Sequence, residues 1–302
     1  MNPIRSLYDR LPASLRSGFR SIVPDGLLRW YAHQNTDVYL ISYPKCGRTW
    51  LRLMLGKAIS QHFHLPETEE VLFLRSNRRY HPDAPRLMAI HEDRPMLRTP
   101  EELGTTKTRF RGKKVIFLAR DPRDVIVSSY FEMKNRGRLF GENPYEQHVP
   151  TFEGSLPEFI HQRRGGFDTL LTYYNIWAQN RQLPLDFLLV RYEDMKANPG
   201  GELRRVLDFI GLQAISQETI DEAVNFSSFQ NMRKMEAEGR FQSGMLKPAN
   251  QTDQESYKTR KGKIQGYLEY LSPLEIVALN QKMNARLDPY FGYCTDPQTA
   301  SK

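Results

Sequence analysis

The chain has 302 residues, 26% of them charged and 39% hydrophobic, an ordinary balance for a soluble globular protein. Forty-three lysines and arginines against 35 acidic residues leave a formal charge of +8, so anionic ligands, nucleic acid and membrane surfaces all suit it. Two cysteines, Cys46 and Cys294, exclude a disulfide framework, no Cys/His cluster has zinc spacing, and no apolar run reaches the about 20 residues needed to span a bilayer. His62 and His64 form a bare H-x-H without further ligands, so no metal is expected. A soluble, intracellular protein of the cytoplasm is the expectation.

The first 35 residues read as a basic amphipathic segment. Ile4, Leu7, Tyr8, Leu11, Leu15, Phe19 and Ile22 fall on one helical stripe, with Arg5, Arg10, Arg16 and Arg20 off it. There is no continuous apolar stretch of the secretory kind. Such a segment packs as a helix on its own domain, interrupted near Pro12, or serves as a transit segment or a membrane-surface helix. The first reading is favoured, because every globular domain needs such helices, and peripheral membrane contact is the alternative.

Four short apolar runs then read as buried parallel strands: residues 37–43, 86–91, 114–120 and 186–192. Each is followed by turn or capping chemistry and a helical pattern. After the third, Asp121 is placed to cap a helix with Pro122 at its first position and Asp124 in its first turn. Thr99 with Glu102, and Ser272 with Glu275, have the spacing of capping boxes. "NPGGELRRVLDFIGL" predicts a further amphipathic helix ending near Gly211, and 236–262 reads as a long surface loop. Strands alternating with helices predict an α/β fold, a P-loop-like doubly wound parallel sheet flanked by helices. One domain over residues 36–293 and a tail over 294–302 are expected. In such sheets ligands bind at the carboxyl ends of the strands, where Lys45, His91, Arg120 and Tyr192 fall.

The turn after the first strand reads S-Y-P-K-C-G-R-T over residues 42–49. Against the phosphate loop G-x-x-x-x-G-K-[ST], Gly47 and Thr49 are in place, Ser42 stands for the first glycine and Arg48 for the lysine. A helix N-terminus has free N–H groups and partial positive charge, to which Lys45 and Arg48 add cations and Thr49 a hydroxyl donor. A second cationic site pairs Arg120, at a strand end, with Ser128 on the helix that follows. A third is Arg260-Lys261-Gly262, within a loop. Three separate cationic sites suit a ligand with more than one phosphate.

Together these residues resemble the sulfotransferase superfamily that uses 3′-phosphoadenosine 5′-phosphosulfate (PAPS), and its cytosolic branch in particular, over roughly residues 36–293. The family's Y-P-K-[ST]-G-[TS]-T-W loop reads "YPKCGRTW" here. The resemblance implies that Lys45, Cys46 through its backbone, Gly47, Arg48 and Thr49 hold the 5′-phosphate, with Trp50 on the adenine. The R-[DN]-P-[KR]-D-x-x-x-S segment carries the 3′-phosphate role to Arg120 and Ser128. Tyr192, in Tyr192-Glu193-Asp194, is similar to the family's adenine tyrosine. Ser227 and Phe229 match a hydroxyl and a stacking aromatic, and Arg260, Lys261 and Gly262 match the R-K-G clamp on the 3′-phosphate. Departures are Cys46 for a hydroxyl residue, Arg48 for a small one, and Ala89 for the lysine of K-T-H. The glycine-aspartate-tryptophan-lysine after the clamp is also missing, with Tyr267 following Gly266.

Sulfuryl transfer, like phosphoryl transfer, depends on alignment and charge stabilisation. Lys45 is expected to neutralise charge on the leaving phosphate and His91, at a strand end, to act as general base. Ser128, as the resemblance implies, would steer Lys45. The acceptor is expected to bear a hydroxyl or an amine, and no nucleic-acid partner is expected. Two rival readings are an ATP-dependent kinase with a degenerate phosphate loop, which would need magnesium, and a basic RNA-binding protein, for which no RNP-like aromatic motif is present.

Overall fold

Runs such as VYLIS and KVIFLA carry apolar residues at successive positions, and a strand of that kind needs cover on both faces. In a computed structural model, which describes residues 25–74, 77–136, 151–241, 246–253 and 256–294, they form strands β1 (Val38–Ser42), β2 (Leu87–Ile90), β3 (Lys114–Ala119) and β4 (Asp186–Arg191). The sheet is parallel throughout, in the order β2-β1-β3-β4. Leu40 lies opposite Ala89 on one side and Ile116 on the other, and Ile116 lies opposite Leu188. The two inner strands are the more buried. Leu40, Ile116 and Leu118 point to one face and Ile41, Val115 and Phe117 to the other, all without exposure. The doubly wound parallel sheet flanked by helices is therefore present.

The chain divides into two compact units, residues 1–37 and 38–302. In the first, α1 (Asp25–Gln34) is described, and its Leu27 and Trp30 are exposed on one helical face. The stripe expected over residues 4–22 lies outside the described residues, as do positions 295–302 of the expected tail.

In the second unit α2 (Arg48–His62) follows β1, and two short helices, α3 (Glu69–Leu72) and α4 (Asn77–Tyr80), precede β2. Between β3 and β4 come α5 (Pro122–Arg136), α6 (Leu156–His161) and α7 (Phe167–Gln179). After β4 run α8 (Tyr192–Ala197), α9 (Pro199–Phe209), α10 (Gln217–Phe226), α11 (Phe229–Ala237) and α12 (Pro273–Arg286). The start signals act as their chemistry requires. Asp121 Oδ1 accepts from the Arg123 N–H at 2.9 Å, Asn198 caps α9 through the Gly201 N–H, and Ser272 with Glu275 closes a capping box on α12. Thr99 and Glu102 also form a capping box, on a single 3-10 turn at Pro100–Glu102.

Phe117 of β3 centres an aromatic layer, with Tyr174 and Trp177 of α7 and Phe291 each 5.7 Å away between ring centroids. A second, smaller core joins Leu53 of α2, Leu72 and Phe73 to Met232, Met235, Phe241 and Leu246. It corrects the expected surface loop over 236–262. Glu236 completes the last turn of α11 without exposure, and Phe241, Leu246 and Tyr257 are buried. The polar residues around them mask a periodicity too sparse to read along the chain.

Candidate active site

The chain leaves β1 toward β2 on one side and later returns to β3 on the other, so a crevice opens at the carboxyl end of β1. The loop from β1 into α2 lines it. Lys45 takes the left-handed backbone region at φ 71° and Gly47 does so at 94°. A Cβ on Gly47 would stand 2.6 Å from Tyr192 Cδ2, so glycine is required twice over, by its dihedral and by the close ring. Gly47 caps α2 without a side-chain hydrogen bond, and the first turn of α2 carries no acidic residue. That leaves the positive end of a 15-residue helix with no carboxylate of its own first turn to offset it.

Tyr174 of α7 fastens this loop to β3. Its hydroxyl accepts from the Arg120 N–H at 3.0 Å, donates to the Arg120 carbonyl at 2.9 Å and lies 3.3 Å from Cys46 Sγ. Burial pushes the Cys46 thiol up to about 12, so Cys46 is a protonated packing group in the loop. Arg120 reaches across the crevice. Its Nη1 donates to the Lys45 carbonyl at 3.3 Å and its Nη2 to the Lys263 carbonyl at 2.9 Å, and its guanidinium stacks 4.3 Å over the Tyr192 ring. The phosphate loop and the loop bearing Arg260, Lys261 and Gly262 thus meet on one arginine.

The second loop is pinned from beneath by two carboxylates. Glu236, without exposure, accepts from the Lys258 N–H at 2.6 Å, the Thr259 N–H at 3.0 Å and the Thr259 hydroxyl at 2.6 Å. Asp124 accepts from the Gln265 and Tyr267 N–H groups at 2.9 and 3.0 Å. Burial raises its carboxyl above the usual range, and the charge of Arg120 opposes that rise. Between these pins the loop turns at Gly262, φ 61°, where a Cβ would stand 2.8 Å from Phe229 Cδ2. Arg260 lies 4.2 Å over the Phe131 ring and donates to the Tyr270 hydroxyl at 2.6 Å, while Lys261 pairs with Glu269 at 2.5 Å.

The aromatic residues of the sequence reading stand beside these loops. Trp50 meets Tyr192 edge-on at 5.8 Å, and its buried Nε1 has no hydrogen-bond partner among the described residues. Phe229 packs on Gly262. Ser227 is fully buried and donates to the Ala223 carbonyl at 2.5 Å, inside its own helix end.

His91 follows β2 directly. Its Nδ1 lies 2.9 Å from the Ser42 carbonyl, which can only accept, so the proton sits on Nδ1 and Nε2 is left as the acceptor nitrogen. Burial, reinforced by the Arg48 guanidinium, holds the imidazole well below its ordinary value, and the bond to Ser42 opposes the shift only in part. A neutral imidazole with a fixed tautomer is the form that takes a proton.

Lys45 is engaged by a residue the sequence reading passed over. Its Nζ lies 2.5 Å from Glu132 Oε2, and Lys258 Nζ lies 2.6 Å from Glu132 Oε1, with the carboxylate side chain 2% exposed. Ser128, one turn earlier on α5, is half-buried. The signal was in the spacing. Asp124, Ser128 and Glu132 recur every four residues along α5 and share its face toward the two loops. Among the described residues no group of three His, Cys, Asp or Glu side chains is placed to hold a metal ion, and no helix is long and apolar enough to cross a membrane.

Comparison with known proteins agrees with this geometry. The sulfotransferase domain family matches residues 35–291. Human sulfotransferase 2A1 is 27% identical over 226 residues, covering 72% of this chain and 73% of that protein. Flavonol 3-sulfotransferase of Flaveria bidentis is 28% identical over 275 residues, covering 85% and 83%. Among solved structures, mouse sulfotransferase SULT7A1 complexed with PAP superposes with a TM-score of 0.56 at 18% identity, covering 83% of this chain and 84% of that one. Retinol dehydratase in complex with androsterone and inactive cofactor PAP gives 0.54 at 20% identity, covering 83% and 80%. At these identities the superpositions bear on the fold, whereas the family match takes in all four strands and every loop of the crevice. On that match the chain belongs to the sulfotransferase family, and its activity is sulfuryl transfer.

Proposed function

We propose that this sulfotransferase takes its sulfuryl group from PAPS and passes it in line to a hydroxyl or amine, with Lys45 stabilising the departing phosphate and His91 as general base. The observation that carries the reading is the neighbourhood of β1 and β2. There a helix N-terminus without a side-chain cap, with Lys45 in the loop just before it, adjoins a histidine whose tautomer is set by the Ser42 carbonyl. The donor contributes a transferable sulfuryl group on a phosphate that leaves with added negative charge.

The residues present fit such a nucleotide. Gly47 and Gly262 are the two positions where a Cβ would close the space beside Tyr192 and Phe229. The N–H groups at the start of α2, with Arg48 and Thr49, suit the 5′-phosphate. Arg120, Ser128, Arg260 and Lys261 suit the 3′-phosphate, and Trp50, Tyr192 and Phe229 the base. A flavonol, in the name of the Flaveria relative, bears hydroxyl groups, which supports that acceptor class.

Adenosine 3′,5′-bisphosphate is expected to bind in EDTA, because the cations that meet its phosphates are side chains. Calorimetry should show affinity that falls as salt rises. Adenosine 5′-monophosphate and ATP, which lack the 3′-phosphate, should bind more weakly. Equal affinity for the monophosphate would remove the 3′-phosphate site.

The N-terminal segment supports a second proposal, peripheral contact with anionic lipid. Its basis is the exposed Leu27 and Trp30 of α1, behind a stretch rich in arginine. Co-sedimentation with phosphatidylserine vesicles should depend on residues 1–33 and on low salt. Loss of folding on deleting them would instead place the segment in the core.

A further inference from the structure

Glu132, like Arg120, is a side chain on which the loop after β1 and the loop bearing Arg260 meet. Lys45, from the loop after β1, meets its Oε2 at 2.5 Å, and Lys258, two residues before Arg260, meets its Oε1 at 2.6 Å. The carboxylate is almost wholly withdrawn from water, as is Asp124 two turns earlier on the same side of α5. A buried carboxylate needs cationic or hydrogen-bonding partners, and here two of them are ammonium groups from separate loops. One of those groups is the lysine on which charge neutralisation at the leaving phosphate depends.

We propose that Glu132 is a positioning residue that holds Lys45 in reserve as an internal counter-anion, and that Lys258 retains the carboxylate when Lys45 turns to the donor. The inference rests on the donor reading given above. Lys45 is paired with Glu132, and both loops meet α5 there. Donor phosphate then competes with Glu132 for the same ammonium, so part of the attraction between loop and nucleotide offsets the lost pair. Lys258 makes the exchange feasible, because a second cation remains on Glu132 and the carboxylate is never left buried and alone. Without Lys258, the carboxylate would hold Lys45 more firmly.

The two partners should therefore act in opposite directions. Glu132→Gln should tighten adenosine 3′,5′-bisphosphate binding about tenfold, the scale of one charge-assisted hydrogen bond no longer broken on binding. The donor KM should fall more than kcat changes, the signature of altered ground-state binding. Lys258→Met should weaken nucleotide binding and raise the donor KM.

Removal of any negative charge near an anion site also tightens binding, so the decisive measurement is a double-mutant cycle. In a Lys45→Met background the gain from Glu132→Gln should disappear, because the effect passes through Lys45. A gain that persists undiminished in that background, or no gain in the single variant, overturns the proposal. Should Glu132→Gln fail to fold, Lys45→Met and Lys258→Met carry the test. Their losses of affinity should be less than additive if both act through Glu132, and simple addition overturns the proposal. Failure of the wild type to bind adenosine 3′,5′-bisphosphate would instead strike the donor reading itself.

Discussion

Lys45→Met is expected to lower the rate of sulfuryl transfer by about 10²–10³-fold, the range for loss of one preorganised group that stabilises developing charge. The loop that presents Lys45 should survive the change. Its backbone already sits in the left-handed region at φ 71° as a residue with a Cβ, and methionine meets the same constraint there as lysine. Glu132 would not be orphaned either, since Lys258 stays on its other oxygen at 2.6 Å. The N–H groups at the start of α2, Arg48, and the residues proposed for the 3′-phosphate around Arg120 all remain. Nucleotide affinity should accordingly fall much less than turnover. Single-turnover rates and calorimetry on the same protein separate the two quantities, and turnover at the wild-type level would remove Lys45 from the mechanism.

His91→Ala is expected to bring transfer to an aliphatic alcohol close to zero and to leave binding of adenosine 3′,5′-bisphosphate intact. The side chain lies at the end of β2, whereas the residues proposed to hold the nucleotide lie after β1, β3 and β4 and around Arg260. Acceptors of lower pKa should be less sensitive to the loss, because they release a proton with less help. The pH profile follows from the environment. Burial, with the Arg48 guanidinium, holds the imidazole well below its ordinary value of about 6.5, so the base is neutral throughout the physiological range. The rising limb that belongs to His91 should therefore lie well below pH 6.5, with no rise through neutrality from this group.

Stability carries the same sign. Below about pH 6.5 the unfolded chain takes up a proton that the folded state refuses, so the folded protein loses stability as pH falls, until the depressed native value is passed. His91→Ala should lack that component. A stable His91→Ala protein with full activity on an aliphatic alcohol would sink the base assignment. Lowered melting temperature together with weakened nucleotide binding would mark His91 as a structural residue.

Family membership rules between the readings the sequence left open. A degenerate phosphate loop, judged by itself, suits a kinase as well as a sulfotransferase, because both need N–H groups and cations around a phosphate. What separates them is the second and third cationic sites, Arg120 with Ser128 and Arg260 with Lys261. In the fold Arg120 donates to carbonyls of both loops, at Lys45 and at Lys263, while Arg260 is held by Tyr270 and Lys261 by Glu269.

The sequence by itself determined the four parallel strands and their alternation with helices, whereas the order of strands in the sheet came from the fold. Apolar runs without alternation can only be strands covered on both faces, and each of the four lies within one residue of its expected bounds. The motifs at their carboxyl ends then placed Lys45, His91, Arg120 and Tyr192 along one edge, since a parallel sheet aligns those ends. Local chemistry was equally legible: Asp121 and Ser272 cap the helices their positions announced. Only the tertiary structure decided what these residues touch. Glu236 read as part of a surface loop, yet it is buried and holds the backbone before Arg260, because its partners lie more than twenty positions away. Ser227 carried a free hydroxyl on paper and donates it to its own helix end. The spacing sets Glu132 on one helix face with Asp124 and Ser128, but its partners were hidden for the same reason. A glutamate on a helix ordinarily faces water, and nothing in the linear chain shows that Lys45 and Lys258, 87 and 126 positions away, arrive at its two oxygens. Pairing of buried charge depends on which surfaces the fold brings together, and that is settled by packing rather than by local sequence.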